Sequence, residues 1–551
     1  MLFRWLFALI SISTSISFLG AQSGLQRGAQ RNTEKKIQIL ATSDTHGEIL
    51  PADSYSMSPA NIGWAKLASA IRAEKRKTPA SLLIDCGDTL QGAPSAYIQS
   101  RMRPDLPNPI IEIMNTLGYT AAAPGGNDFD FGLTALKKAE KEARFPFIAA
   151  NVLDSTGKPI FKPFTKVSVE GVSVALLGLF APAAPNILNL PNQPALKVRD
   201  AVETAKEWTP KLRNEERADL VIAVIHTGAL CPRVVPNSEN TAFLLAENVP
   251  GLDAVIASQS HQPLATSHNG VPIVQPFPYG QSIASIAFTL QNQGGRWISL
   301  SGVPANIPLD PSSPLDPQTL QITEALRLET ENYLDTYAAR LSNDLDGRWS
   351  TVEPTPLLQL IHDVQKKAVG AQLSAAPSPG THIFIPKGPT SVRQFYALAP
   401  HENRVARIRI TGAQLKAYLE KAATYFNYSY LPELINRAVP LADYDTISGC
   451  GYALDISRPP GKRVTNLKYE GRPVSDDQLF TMAISSYRLA GGGGYMEAIG
   501  FNGQAEMTSR ETLRNLLLEH VLAAPTLNIY GDGDWRTIPF LDRERIVSVY
   551  R

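Results

Sequence analysis

Residues 39–47 read ILATSDTHG, and residues 82–92 read LLIDCGDTLQG. Each is an apolar run of strand length that breaks into acidic, imidazole and glycine residues. The pattern returns in VIAVIHTG (221–228), which ends on His226, and in AVIASQSHQPL (254–264), which delivers Gln259 and His261. Segments with helical spacing separate these runs, among them WAKLASAIRAEKRK (64–77) and GLTALKKAEKEARF (132–145). The alternation predicts a layered α/β domain from Lys36 to about Val303. Strands ending this way set Asp44, His46, Asp88, His226, Gln259 and His261 along one edge of a parallel sheet, where α/β proteins place their sites. A single histidine at a strand end is an ordinary hydrogen-bonded residue. Several of them beside carboxylates suit a borderline divalent ion such as Zn, Mn, Fe or Co.

At 551 residues the chain exceeds one usual hydrophobic core, and two large domains are expected. Its 52 basic and 51 acidic residues leave a formal charge of +1, which offers no electrostatic footprint for nucleic acid or a membrane surface. Small molecules are the expected partners, and a monomer the expected state. Residues 1–21, MLFRWLFALISISTSISFLGA, combine Arg4, an apolar centre and the small-residue ending Leu19-Gly20-Ala21. They read as an export signal removed after Ala21, placing the mature chain in the periplasm or outside the cell, off the membrane. Cys86, Cys231 and Cys450 are odd in number and widely scattered, so neither a disulfide framework nor metal-ligand spacing is read from them. The proline-rich PANIPLDPSSPLDPQ (304–318) is expected to be irregular, and TLQITEALRLETENYLDTYAARLSNDL (319–345) to form a long connecting helix. Residues 304–346 would thus link the first domain to a second over 347–551, which mixes helices such as GAQLKAYLEKAATYF with strands such as RVARIRI.

Taken together and in this order, D-x-H at Asp44 and His46, G-D at Gly87 and Asp88, H-x-G at His226 and S-H at Ser260 and His261 resemble the calcineurin-like metallophosphoesterases. GDTLQG, NDFDFG, ITGAQLKAYLE, DYDTISGCGYALDISRPPGKRV and SSYRLAGGGGY extend the resemblance to the secreted 5'-nucleotidase and 2',3'-cyclic-nucleotide 2'-phosphodiesterase family, over nearly the whole mature chain. The resemblance implies an α/β fold: a four-layered metallophosphoesterase domain (36–303) joined by a helix to an α/β 5'-nucleotidase C-terminal, substrate-binding domain, with the site in the cleft between them. It implies two divalent ions. Asp44, His46, Asp88 and His261 would hold the first, and Asp88, His226, Gln259 and Asn127 the second.

The chain departs from the family pattern at PGGNDFDFG (124–132). The family loop reads roughly G-N-H-[ED]-F-[DN]-[YF]-G, its Asn a ligand of the second metal and its His the general acid. A gapless match puts Gly126 at the Asn position and Asn127 at the His position; a one-residue slip keeps Asn127 as the ligand and deletes the histidine. Either way the imidazole is gone, and only Asp130 remains of the usual His and Asp pair. Gln259 likewise replaces a histidine, so the first metal site is expected to be strong and the second weak.

In the second domain the resemblance assigns His401 and Tyr487 to the two sides of a nucleobase sandwich, and Asn403 to a base edge. The family's N-G-G-x-R phosphate clamp is missing, its region reading APSPGTHIFIPKG (376–388). The implied activity is an exported nucleotide phosphoesterase of the 2',3'-cyclic-nucleotide 2'-phosphodiesterase/3'-nucleotidase kind. A 5'-nucleotidase or nucleotide-sugar hydrolase, and a degenerate homologue that binds nucleotides without turnover, stay open beside it.

Overall fold

The computed structural model describes residues 34–54, 58–181, 196–228 and 241–549. The expected export signal and Cys231 lie outside them. Among the described residues, no helix is long and apolar enough to cross a membrane.

The first domain is built on two sheets. One is five-stranded, in the order Arg296–Pro308, Ser282–Gln293, Glu34–Thr42, Ser81–Asp85, Ala121–Ala122. The last three of these strands run parallel. The other has six strands, in the order Leu264–His268, Val271–Gln275, Ala254–Ile256, Leu220–His226, Val172–Phe180, Phe164–Val169, its central four parallel. Side-chain alternation along a strand explains the layering. Ile37, Ile39 and Ala41 face Val174, Leu176, Ile222 and Val224 in a core between the sheets. Leu40 and Leu83, of opposite parity, pack beneath the helix residues Trp64, Leu67, Ile71, Ile110 and Ile113. On the far sheet Leu177, Val221, Ala223 and Ile225 turn outward to Ala205, Leu212 and Leu245. The result is four layers, helix, sheet, sheet, helix, with both parallel sets opening their C-terminal ends at the same edge.

Two expectations about the linker are corrected. Residues 304–308 are not irregular but complete the strand Arg296–Pro308, paired antiparallel to Ser282–Gln293 from its solvent-facing edge, where proline costs no ladder bond. The helix spans Pro317–Leu334, capped by the Asp316 carboxylate on Thr319 N, and stops well short of Leu345. Beyond it, Tyr337–Leu341 becomes a strand between Gly388–Ser391 and Thr526–Leu527, because Ala338, Ala339 and Leu341 are buried with Leu357, Phe395 and Leu517. The helix is a strut across both bodies: Asp316 pairs with Arg72 of the first domain at 2.8 Å, while Leu334 enters the core of the second.

The second domain centres on a five-stranded mixed sheet, in the order Asp445–Ser448, Leu373–Pro377, Leu479–Ser485, Arg404–Thr411, Met507–Thr512. Its polar interior is tied by Arg488, which meets Asp445 through Nε at 3.0 Å and Nη2 at 2.8 Å and Asp443 through Nη1 at 2.8 Å. DYDTIS and SSYRLAGGGGY are therefore linked by a buried bidentate ion pair.

Candidate active site

The strands end, and then the backbone turns sharply. Asp44, His46, Asp88, Gln259 and His261 all have φ between 50° and 72°, a left-handed conformation that non-glycine residues rarely adopt and that clusters at functional sites. Five such residues at one sheet edge re-aim their side chains into a common space. The turns brace one another: Asp44 N donates to Gly87 O at 2.8 Å and His46 N to Asp88 O at 2.9 Å. Gly125 packs so tightly on this corner that a Cβ there would lie 2.2 Å from Asp88 Oδ1.

The ring nitrogens are sorted by backbone carbonyls. His46 Nδ1 lies 2.8 Å from Gln91 O, and His226 Nδ1 2.6 Å from Cys86 O. Each carbonyl fixes the proton on Nδ1 and leaves Nε2 for the site, as in metal-binding imidazoles generally. The ligand atoms fall into two groups, Asp44 with His46 and His261, and Asp44 with Asp88 and His226. By these distances Asp44 is common to both groups, where the motif had implied sharing through Asp88. Asp44 also accepts from Gln259 N and from Ser43 Oγ.

Charge is finely balanced here. Burial raises the Asp44 carboxyl above its ordinary range despite His226 and His261. Burial also works on Asp88, but the His226 imidazole, Nε2 to Oδ2 at 3.1 Å, outweighs it and holds Asp88 low. The same attraction overcomes the burial of His226 and lifts it to about 10. A divalent ion held by these carboxylates would compete with the proton on His226, so metal affinity should rise with pH.

The donor set fits such an ion. Besides two carboxylates and three imidazoles, Gln259 Oε1 is buried there without a hydrogen-bond partner. Polar atoms in that state are costly unless something binds them.

Of the two residues expected to be catalytic, Asn127 opens a short 3₁₀ turn, Asn127–Phe129, beside this corner, and Asp130 follows it as the C-cap. The contact of Asn127 with the ligands is through its backbone, whose N–H donates to Asp88 Oδ1 at 2.8 Å. A Cβ at Gly126 would meet nothing within 4 Å, so the side chain the gapless match calls for has room. Burial, then the charges of Glu402, Asp88 and Asp128, push the Asp130 carboxyl well up.

Sequence reasoning missed Asp128. Its carboxylate accepts four backbone N–H bonds, from Gly125 at 2.8 Å and from Asp88, Thr89 and Leu90 at 2.9 Å each, and so welds the two loops together. An acidic residue in a glycine-rich turn was the available signal, since Asp side chains cap consecutive amides. Tyr279 was missed too. With φ of 56° it stands 5.5 Å from His46 and 5.7 Å from His261, ring centre to ring centre.

Asp85, beneath Asp88, is raised to about 7 by burial, with Asp128 adding and the Thr42 and Thr89 hydroxyls opposing. Its unfolded pKa is about 3.9, so between about pH 4 and 7 the folded chain keeps a proton that the unfolded chain has lost. The stability of the metal-free protein should therefore fall across that window, by at most about 1.4 kcal/mol per pH unit from this group. Asp85→Asn should flatten the slope, read from urea midpoints at both ends of the window.

Across the cleft, the turn from Pro400 to Asn403 reaches over the first domain. Pro400 O lies 3.5 Å from Gln91 Nε2 and 3.1 Å from Arg514 Nη1. Glu402 is buried against Arg514 and lies 3.5 Å from Arg101. Asn403 Oδ1 takes a bond from Ser486 Oγ at 3.3 Å, which ties this turn to the segment carrying Tyr487. The Tyr487 ring is half-buried against the glycine turn, where a Cβ on Gly492 would come within 2.3 Å of it. His401 is exposed on this turn, while neighbouring atoms of the protein still desolvate its ring. That desolvation, with His46, Arg514 and His261 acting the same way and Asp88 opposing, lowers it to about 4.

Two packed sheets with paired Asp and His groups at their shared edge define the metallophosphoesterase architecture, here joined to a second α/β domain. Residues 334–499 match the sequence profile of the 5'-nucleotidase C-terminal domain. Over 91% of its length the chain is 28% identical to the trifunctional nucleotide phosphoesterase protein YfkN of Bacillus subtilis, although it spans only 39% of that longer protein. It is 25% identical to a 2',3'-cyclic-nucleotide 2'-phosphodiesterase/3'-nucleotidase of Yersinia enterocolitica, covering 87% of this chain and 84% of the relative. A Staphylococcus aureus structure assigned as a 5'-nucleotidase superposes with a TM-score of 0.80 at 21% identity, over 91% of this chain and all of that one. The resemblance read from the motifs thus extends through both domains.

Proposed function

We propose that this chain is an exported, metal-dependent nucleotide phosphoesterase acting on 2',3'-cyclic nucleotides and 3'-nucleotides. The observation that carries the reading is the pair of ligand groups, Asp44 with His46 and His261 and Asp44 with Asp88 and His226, together with the unpartnered buried oxygen of Gln259. The names of the relatives support a nucleotide phosphoester as substrate. The lost phosphate clamp and the APSPGTHIFIPKG region favour cyclic and 3'-nucleotides over 5'-nucleotides. Divalent ions held there would polarise the phosphoryl group and activate water. The chain's own residues present Nε2 atoms, keep Asp88 ionised through His226, and supply aromatic surface at His401 and Tyr487, where stacking contributes about 1–3 kcal/mol per base.

Purified protein with added Mn or Co should release phosphate from 2',3'-cyclic AMP and 3'-AMP. Binding of both without release would instead support a non-hydrolysing homologue. The two ion positions should also be unequal: His46→Ala should strip the bound metal and Gln259→Ala should change little. Equal metal loss in both variants, by elemental analysis, would sink the inequality.

A further inference from the structure

We infer that Tyr279 is the positioning residue for His261, holding its imidazole toward the ligand atoms of Asp44 and His46 by ring packing, where the other two imidazoles of the site are held by hydrogen bonds. This deepens the phosphoesterase reading and rests on its ion site.

The three imidazoles of the ligand groups are not fixed alike. His46 Nδ1 lies 2.8 Å from Gln91 O, and His226 Nδ1 lies 2.6 Å from Cys86 O and 2.8 Å from Ser258 Oγ. A metal-binding imidazole ordinarily has such a partner on its second nitrogen, and that partner sets the orientation of the ring. Among the described residues His261 has none. Its polar contacts run through Nε2, which lies 3.1 Å from His46 Nε2 and 3.6 Å from Asp44 Oδ1. It is also the most open of the three, with 37% of its side chain exposed where His226 is sealed. An imidazole free to turn would spend much of its time facing solvent, so the ring needs another restraint.

Tyr279 supplies it. The rings of His46, His261 and Tyr279 form a closed triangle: His46 to His261 is 5.2 Å between centres, His46 to Tyr279 is 5.5 Å, and His261 to Tyr279 is 5.7 Å. The last pair meets at 72°, the edge-to-face arrangement in which the positive rim of one ring points at the negative face of the other. Two corners of the triangle are fixed from outside it. His46 is held by Gln91 O, and Tyr279 by its own backbone, whose N–H donates to Asp44 O at 2.7 Å and whose carbonyl accepts from Gly63 N at 2.8 Å. The sequence PFPYG (276–280) stiffens that corner further, because Pro276 and Pro278 each lock a φ angle just before it. Gly280, at φ 71°, follows so close to the first helix that a Cβ there would lie 3.2 Å from Leu67. Tyr279 itself has φ of 56°, a conformation that persists only where the surroundings over-determine it. The third corner, His261, takes its orientation from the other two. Since the peptide of Tyr279 is bonded to the carbonyl of Asp44, the ring that aims one ligand is carried by the main chain of another.

The experiment titrates metal-free wild type, Tyr279→Phe and Tyr279→Ala with Co(II), following the visible d–d spectrum, with chelator competition to give the affinities. No substrate is present, so the result does not depend on which phosphoester is hydrolysed. Tyr279→Phe keeps the ring and should match wild type in affinity and spectrum. Tyr279→Ala removes it and should bind the tighter Co(II) about 10- to 100-fold more weakly, the usual cost of losing the group that orients a ligand, with an altered spectrum for that ion and little change in the weaker one. Equal weakening of both ions would make Tyr279 a general structural residue and overturn the inference. A loss in Tyr279→Phe as large as in Tyr279→Ala would overturn it in favour of the phenol hydroxyl. An alanine variant that binds as wild type does would defeat this inference alone, whereas a wild-type protein that takes up no Co(II) would defeat the ion site of the phosphoesterase reading and this inference with it.

Discussion

Asp44→Asn protein is expected to lose its bound divalent ions and, with them, at least about a thousandfold in phosphoester hydrolysis, since ion clamping contributes several kcal/mol to the transition state and 1.4 kcal/mol is tenfold. Asparagine is the informative substitution. It tolerates the left-handed φ of 50° that this position requires, and its oxygen still accepts from Gln259 N and Ser43 Oγ. What it removes is the charge common to both ligand groups. Misfolding is not the expected cause of the loss, because burial already disfavours ionised Asp44 in the metal-free chain. That chain should melt no lower than wild type. Elemental analysis gives the decision: one tightly held ion remaining in the variant would transfer the sharing role to Asp88, as the motif implies.

Asp128→Ala should produce the largest loss of stability. Its side chain, 5% exposed, is the acceptor for the amides of Asp88, Thr89, Leu90 and Gly125. Stranding a buried donor costs about 1–3 kcal/mol, so four of them, partly relieved by loop relaxation and entering water, amount to roughly 4 kcal/mol or more. Against a typical total of about 5–15 kcal/mol this is severe. The damage should reach the metal as well, because Asp88 Oδ1 is held from the same loop by Asn127 N. Asp128→Asn, which keeps one acceptor oxygen and sets an NH₂ against the remaining donors, should fall between wild type and alanine. Urea unfolding of the metal-free proteins, followed by metal titration, measures both effects. An alanine variant within about 1 kcal/mol of wild type would mean that water replaces the carboxylate at little cost.

Much of the first domain is legible in the chain because its buried parallel strands must be continuous apolar runs and their ends must be polar. ILATSDTHG and VIAVIHTG announce both facts at once. The linker was harder. Pro304 and Pro308 read as breakers, but an edge strand tolerates proline where its N–H faces away from the ladder. TYAARLSNDL continues a plausible helical pattern past Leu334, yet its alanines are better buried as a strand against the second domain than exposed on a longer helix. Asp128 went unnoticed for a related reason. A carboxylate in a polar turn looks solvated until the two loops it binds are folded onto it.

By itself the sequence determined the layered α/β class, the residues that gather at the strand ends, and the loss of an imidazole from residues 124–132, since periodicity and residue identity are properties of the chain alone. Only the tertiary structure shows that Asp44 lies within reach of both groups of ligand atoms, what Asp128 holds, and that the turn of Pro400 and Glu402 comes from the other domain to meet Gln91 and Arg101. Those are distances between segments up to hundreds of residues apart. They are set by how the sheets pack and how Glu402 meets Arg101 and Pro400 meets Gln91 across the seam, and neither leaves a local mark in the order of residues.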